Sequence, residues 1–248
     1  MRKSNYLILS GLYFDFNDDL TEIKEIKALF ENQNILDIFR FDKIKSIKKS
    51  QFMKKKLNFI YLSKNIEKIE NEAFDKNQIE ILDLSNCINL KFIESWSFWN
   101  NQIKKLKLPQ NIEIIKDYSF KNNQIKILDL SNCIKLKAIE FKSFEYNQIK
   151  QLKLPKNIKM IKDRAFEVNN IESLDLLQCT TLNYITYLAF SNNPLQEIKI
   201  LDNIDAKTLY STEFKTDKWN NFTKYYNKNN KKAGDYKLEN NEWKWYPL

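Results

Sequence analysis

The chain has 248 residues, 43% of them hydrophobic and 14% aromatic, enough for a full-sized core in one large domain or two ordinary ones. It contains no histidine, only two widely separated glycines (Gly11 and Gly234) and four prolines. That composition removes the usual general base, the Ser-His-Asp and Cys-His arrangements, the commonest metal ligand and any glycine-rich phosphate loop. A formal charge of +9 is carried almost wholly by lysine, with arginine only at Arg2, Arg40 and Arg164. Arginine is the residue suited to reading bases and phosphates, so the lysine excess reads as compositional bias and nucleic acid is disfavoured as a partner.

In chain order, Arg2 and Lys3 precede a short apolar stretch, Tyr6-Leu7-Ile8-Leu9, that runs into Asp15, Asp18 and Asp19 without a small-residue cleavage site. It reads as a strand and not as a signal peptide. No apolar run approaches the ~18 residues of a membrane span, so no transmembrane segment is expected. As given, the chain reads as cytoplasmic; with an export signal removed, it would belong at the cell surface or be secreted. Residues Asp19 to Phe30 read as an amphipathic helix, with Leu20, Ile23, Ile26, Leu29 and Phe30 on one side.

From there a repeat dominates. Leu106-Lys-Leu-Pro-Gln-Asn-Ile returns as Leu152-Lys-Leu-Pro-Lys-Asn-Ile, and Leu82-Asp-Leu-Ser-Asn-Cys returns as Leu128-Asp-Leu-Ser-Asn-Cys, both after 46 residues. Each block holds units of 22 and 24 residues opening on an apolar-x-apolar triplet, at Phe14, Leu36, Ile60, Leu82, Leu106, Leu128, Leu152, Leu174 and Ile198. The triplet predicts a short strand with its middle residue facing out. Then comes Ile-x-x-Ile, or Leu-Lys-x-Ile in the longer unit, expected to turn a corner. A small residue and a phenylalanine follow, at Phe74, Phe98, Phe120, Phe144, Phe166 and Phe190, with an asparagine three residues on. A single such unit cannot bury its own apolar side, so about nine must stack around a continuous core.

The expected fold is therefore an α/β repeat solenoid with one parallel sheet, short strands, short helical turns on the opposite side and capped ends. Residues 1–35 are expected to form an N-terminal cap with a degenerate first repeat, 36–201 the solenoid, and 202–248 a C-terminal cap. In that cap, Asp217 to Asn227 reads as a helix with Trp219, Phe222 and Tyr226 inward, and Tyr236 to Tyr246 as a hairpin around Asn240-Asn241.

The pattern resembles the leucine-rich repeats of the BspA-like class, a bacterial variant built from Leu-x-Leu-Pro-x-x-Ile-x-x-Ile-x-x-x-Ala-Phe-x-x-Asn units. The resemblance covers residues 36 to 200 well and 14 to 35 loosely. It implies the fold, and a function in protein binding, often adhesion at a cell surface, with an export signal common among members. It implies no enzymatic activity.

Several columns invite a chemical reading. Cys87, Cys133 and Cys179 recur every 46 residues. Stacking would hold them about 9.5 Å apart at ~4.8 Å per strand, beyond the ~7 Å a disulfide allows, so they read as buried core thiols. The asparagines Asn77, Asn101, Asn123, Asn147, Asn169 and Asn193 read as structural, their amides satisfying backbone groups in the turns. The alternating charges at strand midpoints from Asp83 to Lys199 read as a register-fixing ladder.

Two surfaces suggest a protein partner. Tyr13, Ile35, Phe59, Tyr61 and Ile81 would form an apolar patch on the open sheet face, unless residues 1–12 fold back over it. Trp96, Trp99 and Tyr118 would cluster on the opposite side, among positions flanking the phenylalanine column that are expected to be exposed, Leu188, Asp75, Glu145, Glu167 and Ser191 included. Mutual packing with no partner is the competing reading of that cluster. The alternative class is binding of a polyanion, nucleic acid or glycosaminoglycan, through Lys45, Lys48, Lys49, Lys54, Lys55 and Lys56.

Overall fold

The computed structural model describes residues 42–206 and 217–248 and, among the first 41, the backbone of the strands Tyr6–Leu9, Leu12–Phe16, Ile23–Ala28 and Ile35–Asp37. Seven coils stack their phenylalanines face to face, from Phe52 through Phe74, Phe98, Phe120, Phe144 and Phe166 to Phe190, with ring centroids 5.1–5.6 Å apart. This column, with the inward leucines and isoleucines of every coil, is the core.

The short parallel strands start one residue before each triplet and hold its first residue, buried, between two exposed ones, as at Ile81–Asp83, Lys105–Lys107 and Ile127–Asp129. Their pairing follows the two unit lengths. Across each 24-residue step three residue pairs are in register: Ile35–Asp37 with Phe59–Tyr61, Ile81–Asp83 with Lys105–Lys107, Ile127–Asp129 with Gln151–Lys153, and Ser173–Asp175 with the start of Glu197–Ile200. Across the 22-residue steps only Lys105 and Ile127 pair, and the ladder breaks between Phe59–Tyr61 and Ile81–Asp83 and again between Gln151–Lys153 and Ser173–Asp175. The cross-strand charge pairs obey the same rule, with Lys107 3.1 Å from Asp83 and Lys153 3.7 Å from Asp129.

The Ile-x-x-Ile segments do more than turn a corner. Their last two residues make eight two-residue strands, from Ser46–Ile47 to Asp205–Ala206, in one continuous second parallel sheet. The expected helical turns are absent from the phenylalanine side, where the described residues form tight turns. Two residues before and two after each phenylalanine the backbone is left-handed, as at Glu72 and Lys76 (φ 59° and 53°) or Tyr118 and Asn122 (φ 58° and 57°). A helix cannot propagate through such residues. Instead the N–H groups point along the stack: Glu72, Phe74 and Lys76 donate to the carbonyls of Ser95, Ser97 and Trp99 in the next coil at 2.8–3.0 Å. These bonds add a third ladder and offset the cost of left-handed non-glycine residues.

The ends depart from the repeat. The triplet at Phe14 lies in Leu12–Phe16, paired antiparallel with Tyr6–Leu9 and Ile23–Ala28 in a three-stranded meander, so it is not a solenoid strand. The helix expected over Asp19 to Phe30 is replaced by Ile23–Ala28, whose β-branched Ile23 and Ile26 suit a strand. At the other end the helix Lys218–Lys228 buries Trp219, Phe222 and Tyr226, and Trp219 meets Phe190 edge-on at 5.0 Å, closing the phenylalanine column. The hairpin Gly234–Glu239 and Glu242–Tyr246 turns at Asn240-Asn241, both with positive φ, and pairs antiparallel with Glu197–Ile200. Gly234 is required there, because a Cβ would meet the Trp245 indole nitrogen at 2.1 Å.

Candidate partner-binding surfaces

The open sheet face carries the first surface. Phe59, Tyr61 and Ile81 are 41%, 53% and 46% exposed, on the two strands that flank the first ladder break. The strand of Ile35 pairs with that of Phe59, bringing Ile35 opposite Phe59. Tyr13 pairs with Ile8 and Lys27 in the separate antiparallel meander and does not continue this row. The side chains of Tyr13 and Ile35, and the whole of residues 1–5, lie outside the described residues. A cleft of about 570 Å³ opens at the second break, between Leu152 and Lys153 on one side and Ser173 and Asp175 on the other.

On the phenylalanine side, Trp96 and Tyr118 come together as a parallel stack at 5.0 Å, and Phe141 meets Tyr118 edge-on at 5.2 Å. Trp99 instead carries the Lys76 ammonium 4.6 Å from its ring centre. Much of the aromatic area here is therefore engaged within the chain.

The flanking positions expected to be exposed are in part buried. Leu188, Asp75, Glu145, Glu167 and Ser191 all turn inward; in the last four the residue after a phenylalanine lies under the turn closed by its N–H, as Asp75 N–H closes on the Glu72 carbonyl at 3.1 Å. Glu145 and Glu167, only 2% and 4% exposed, stand on adjacent coils. Glu145 pairs with Lys121 and with Lys142 (3.3 Å), while Glu167 holds Arg164 at 3.5 Å and accepts a bond from the Asn192 amide at 3.3 Å. Burial first, then the hydrogen bond shared with the Glu145 carboxyl, pushes the Glu167 carboxyl up to about 7. A folded pKa above the unfolded value favours folding while the group is protonated, and that contribution is lost as pH rises from about 4.5 through 7. The chain should lose about 1–3 kcal/mol across that interval from this site. Glu167→Gln should flatten the dependence and be the more stable form at pH 8. Denaturant melts at pH 5 and pH 8 measure this, and an identical pH dependence in the two proteins would refute it.

The remaining columns are internal. Cys87, Cys133 and Cys179 are free and buried, with the Sγ atoms of Cys87 and Cys133 each 3.8 Å from a carbonyl of the preceding coil (Leu62 and Pro109). Burial, then a neighbouring aspartate, pushes each thiol up to about 11. The six asparagines form a ladder. Each Oδ1 accepts the N–H of a residue in the preceding coil (Leu57, Ile79, Ile103, Ile125, Ile149 and Ile171 in turn) at 2.9–3.2 Å. Each Nδ2 donates to the preceding coil's phenylalanine carbonyl at 2.8–3.0 Å.

Of the candidate polyanion ligands, Lys45 and Lys48 pair with Glu67 (3.1 Å) and Glu70 (3.6 Å), and the Lys49 N–H donates to Glu70. Lys54, Lys55 and Lys56 are exposed, with Lys54 and Lys56 in left-handed turn positions.

One surface was not anticipated. In five of its eight strands, consecutive and hydrogen-bonded, the second sheet presents an outer apolar residue, the third of Ile-x-x-Ile or Leu-x-x-Ile: Phe92, Ile114, Ala138, Met160 and Tyr184. The sequence signal was present at that fixed position, but a segment read as a corner has no outer face to examine.

A family model described as the BspA type leucine-rich repeat region matches the chain in six copies, over residues 21–138 and 91–220. No curated protein sequence matches it. Among solved structures, a leucine-rich cell surface protein from Faecalibacterium prausnitzii is similar at 13% identity, with a TM-score of 0.53 over 98% of this chain and 61% of that one. The pneumococcal vaccine antigen PcpA is similar over 82% of this chain and 72% of its own, at 16% identity and a TM-score of 0.48. At such identities the likeness concerns the fold alone.

Proposed function

Because the chain belongs to the BspA-type leucine-rich repeat family, we propose that it is a non-enzymatic module that binds a protein partner, in the manner of an adhesin or a scaffold, through its open sheet face. The observation that supports this reading is the exposure of Phe59, Tyr61 and Ile81 side by side on that face. Large apolar side chains grouped on a rigid surface are typical interface anchors, and water contact with them is a standing cost that a partner relieves. The solved relative from F. prausnitzii is described as a cell surface protein, which agrees with an adhesive role. Trp96, Trp99 and Tyr118 form the second candidate surface, with less free area to offer.

The test is a paired capture. The chain and its Phe59→Ser/Tyr61→Ser variant are crosslinked in native lysate and the bound proteins are quantified by mass spectrometry. The double variant should lose a captured partner tenfold or more, while its melting temperature stays within a few degrees because exposed substitutions change stability by only about 0.5 kcal/mol. Equal capture by both proteins would remove the open face from the reading.

A further inference from the structure

The apolar stripe on the second sheet is bordered by charge. Directly before each strand stand Lys91, Glu113, Lys137, Lys159 and Asn183, and directly after it Glu94, Lys116, Glu140, Lys162 and Thr186. The second of these borders alternates in sign along the stack: negative, positive, negative, positive. A row of that kind is complementary to itself when reversed. Two such faces laid together antiparallel, about a twofold axis along the strands between the coils of Ile114 and Ala138, would set Glu94 against Lys162 and Lys116 against Glu140. The same operation sets Phe92 on Met160, the larger Ile114 on the small Ala138, and Lys68 over the ring of Tyr184, which is 46% exposed. On the other border it pairs Glu113 with Lys137 and leaves one like-charged meeting, Lys91 with Lys159, at exposed positions where salt screens it.

We propose that the second sheet is a homotypic interface, on which a second copy of this chain docks antiparallel. The proposal is independent of the partner-binding reading, which uses the other sheet. Within one chain, Glu140 already holds Lys162 at 2.6 Å and Glu94 holds Lys68 at 3.2 Å, whereas Lys116 makes no ion pair among the described residues. Docking would place Glu140 of the second copy against it. The stripe is five strands long, roughly 24 Å at ~4.8 Å per strand, and roughly 13 Å wide with its borders at ~3.3 Å per residue. The resulting area of about 300 Å² per copy is less than half that of a standard interface, so the dimer is expected to be weak and reversible.

Sedimentation equilibrium of the full chain, from about 1 to 500 μM, tests this, with circular dichroism confirming that each variant is folded. The chain should show a reversible monomer–dimer equilibrium. Lys116→Glu and Glu140→Lys should each weaken it at least tenfold, since each opposes like charges across the axis, and combining them should restore it to within about threefold. A monomer throughout the range, with the stripe covered by another part of the chain or reserved for a different protein, overturns the proposal. A dimer indifferent to the single substitutions, or one the double variant does not restore, overturns it equally by placing the contact on another face.

Discussion

Phe120→Ala should cost the solenoid about 3–5 kcal/mol of unfolding free energy. The ring is fully buried and stacks on Phe98 and Phe144, each at 5.3 Å. Its removal discards the transfer free energy of the ring and leaves a void between two rigid ladders that cannot close on it. Because coils contact only their neighbours, the loss falls at the middle of the stack and should uncouple the coils on either side. Phe120→Leu, which keeps most of the volume, should cost about 1–1.5 kcal/mol. Chemical denaturation monitored by circular dichroism gives both numbers. A loss below about 1 kcal/mol for the alanine variant would mean that the column is not the packed core.

The second large effect belongs to the asparagine ladder. In Asn123→Ala the Ile103 N–H loses its acceptor at 3.0 Å, and the carbonyls of Phe98 and Phe120 lose a donor at 3.0 and 3.1 Å. The Phe120 carbonyl keeps the Asn147 amide at 3.0 Å, so two buried groups are left unsatisfied at about 1–3 kcal/mol each, and about 2–5 kcal/mol in total is expected from a side chain of modest volume. Asn123→Asp tells hydrogen bonding from packing: its shape is nearly conserved, yet it has no amide donor and aims a carboxylate at two carbonyls. It should be as damaging as alanine at pH 7. If aspartate were tolerated there, the ladder would be a consequence of packing and not a cause of the stacking.

How far these features could be read in advance depended on whether they repeat in letters or in backbone angle. The phenylalanine and asparagine columns recur as identical residues at a fixed interval, so stacking followed from counting. The second sheet did not announce itself, because a two-residue strand such as Ile114–Ile115 is too short for alternation to distinguish it from a turn. The left-handed turns were equally silent. They fall on Glu72, Trp96, Tyr118 and Lys142, not on glycine or a shared asparagine, and are held by bonds to the next coil that no local signal encodes. The same turns decide that Glu145 and Glu167 point inward, against the ordinary expectation for glutamate. At the N-terminus, Ile23 and Ile26 fit a helical stripe as well as a strand, and pairing with Leu12–Phe16 decides between them. The alternation of 22 and 24 residues was visible in the triplets. Its consequence, a ladder that pairs fully across the 24-residue steps and breaks where Phe59, Tyr61 and Ile81 stand, was not, because register depends on how each coil closes.

Residues one unit apart in sequence are neighbours in space, bonded coil to coil. Amide hydrogen exchange of Asn123→Ala, resolved by residue, measures this most directly. Protection should be lost at Ile103, 20 residues upstream, whose N–H bonds the asparagine side chain, with Gln102 and Lys104 following in part. Protection lost only around residues 120 to 126, with Ile103 exchanging as in the unmodified chain, would contradict it.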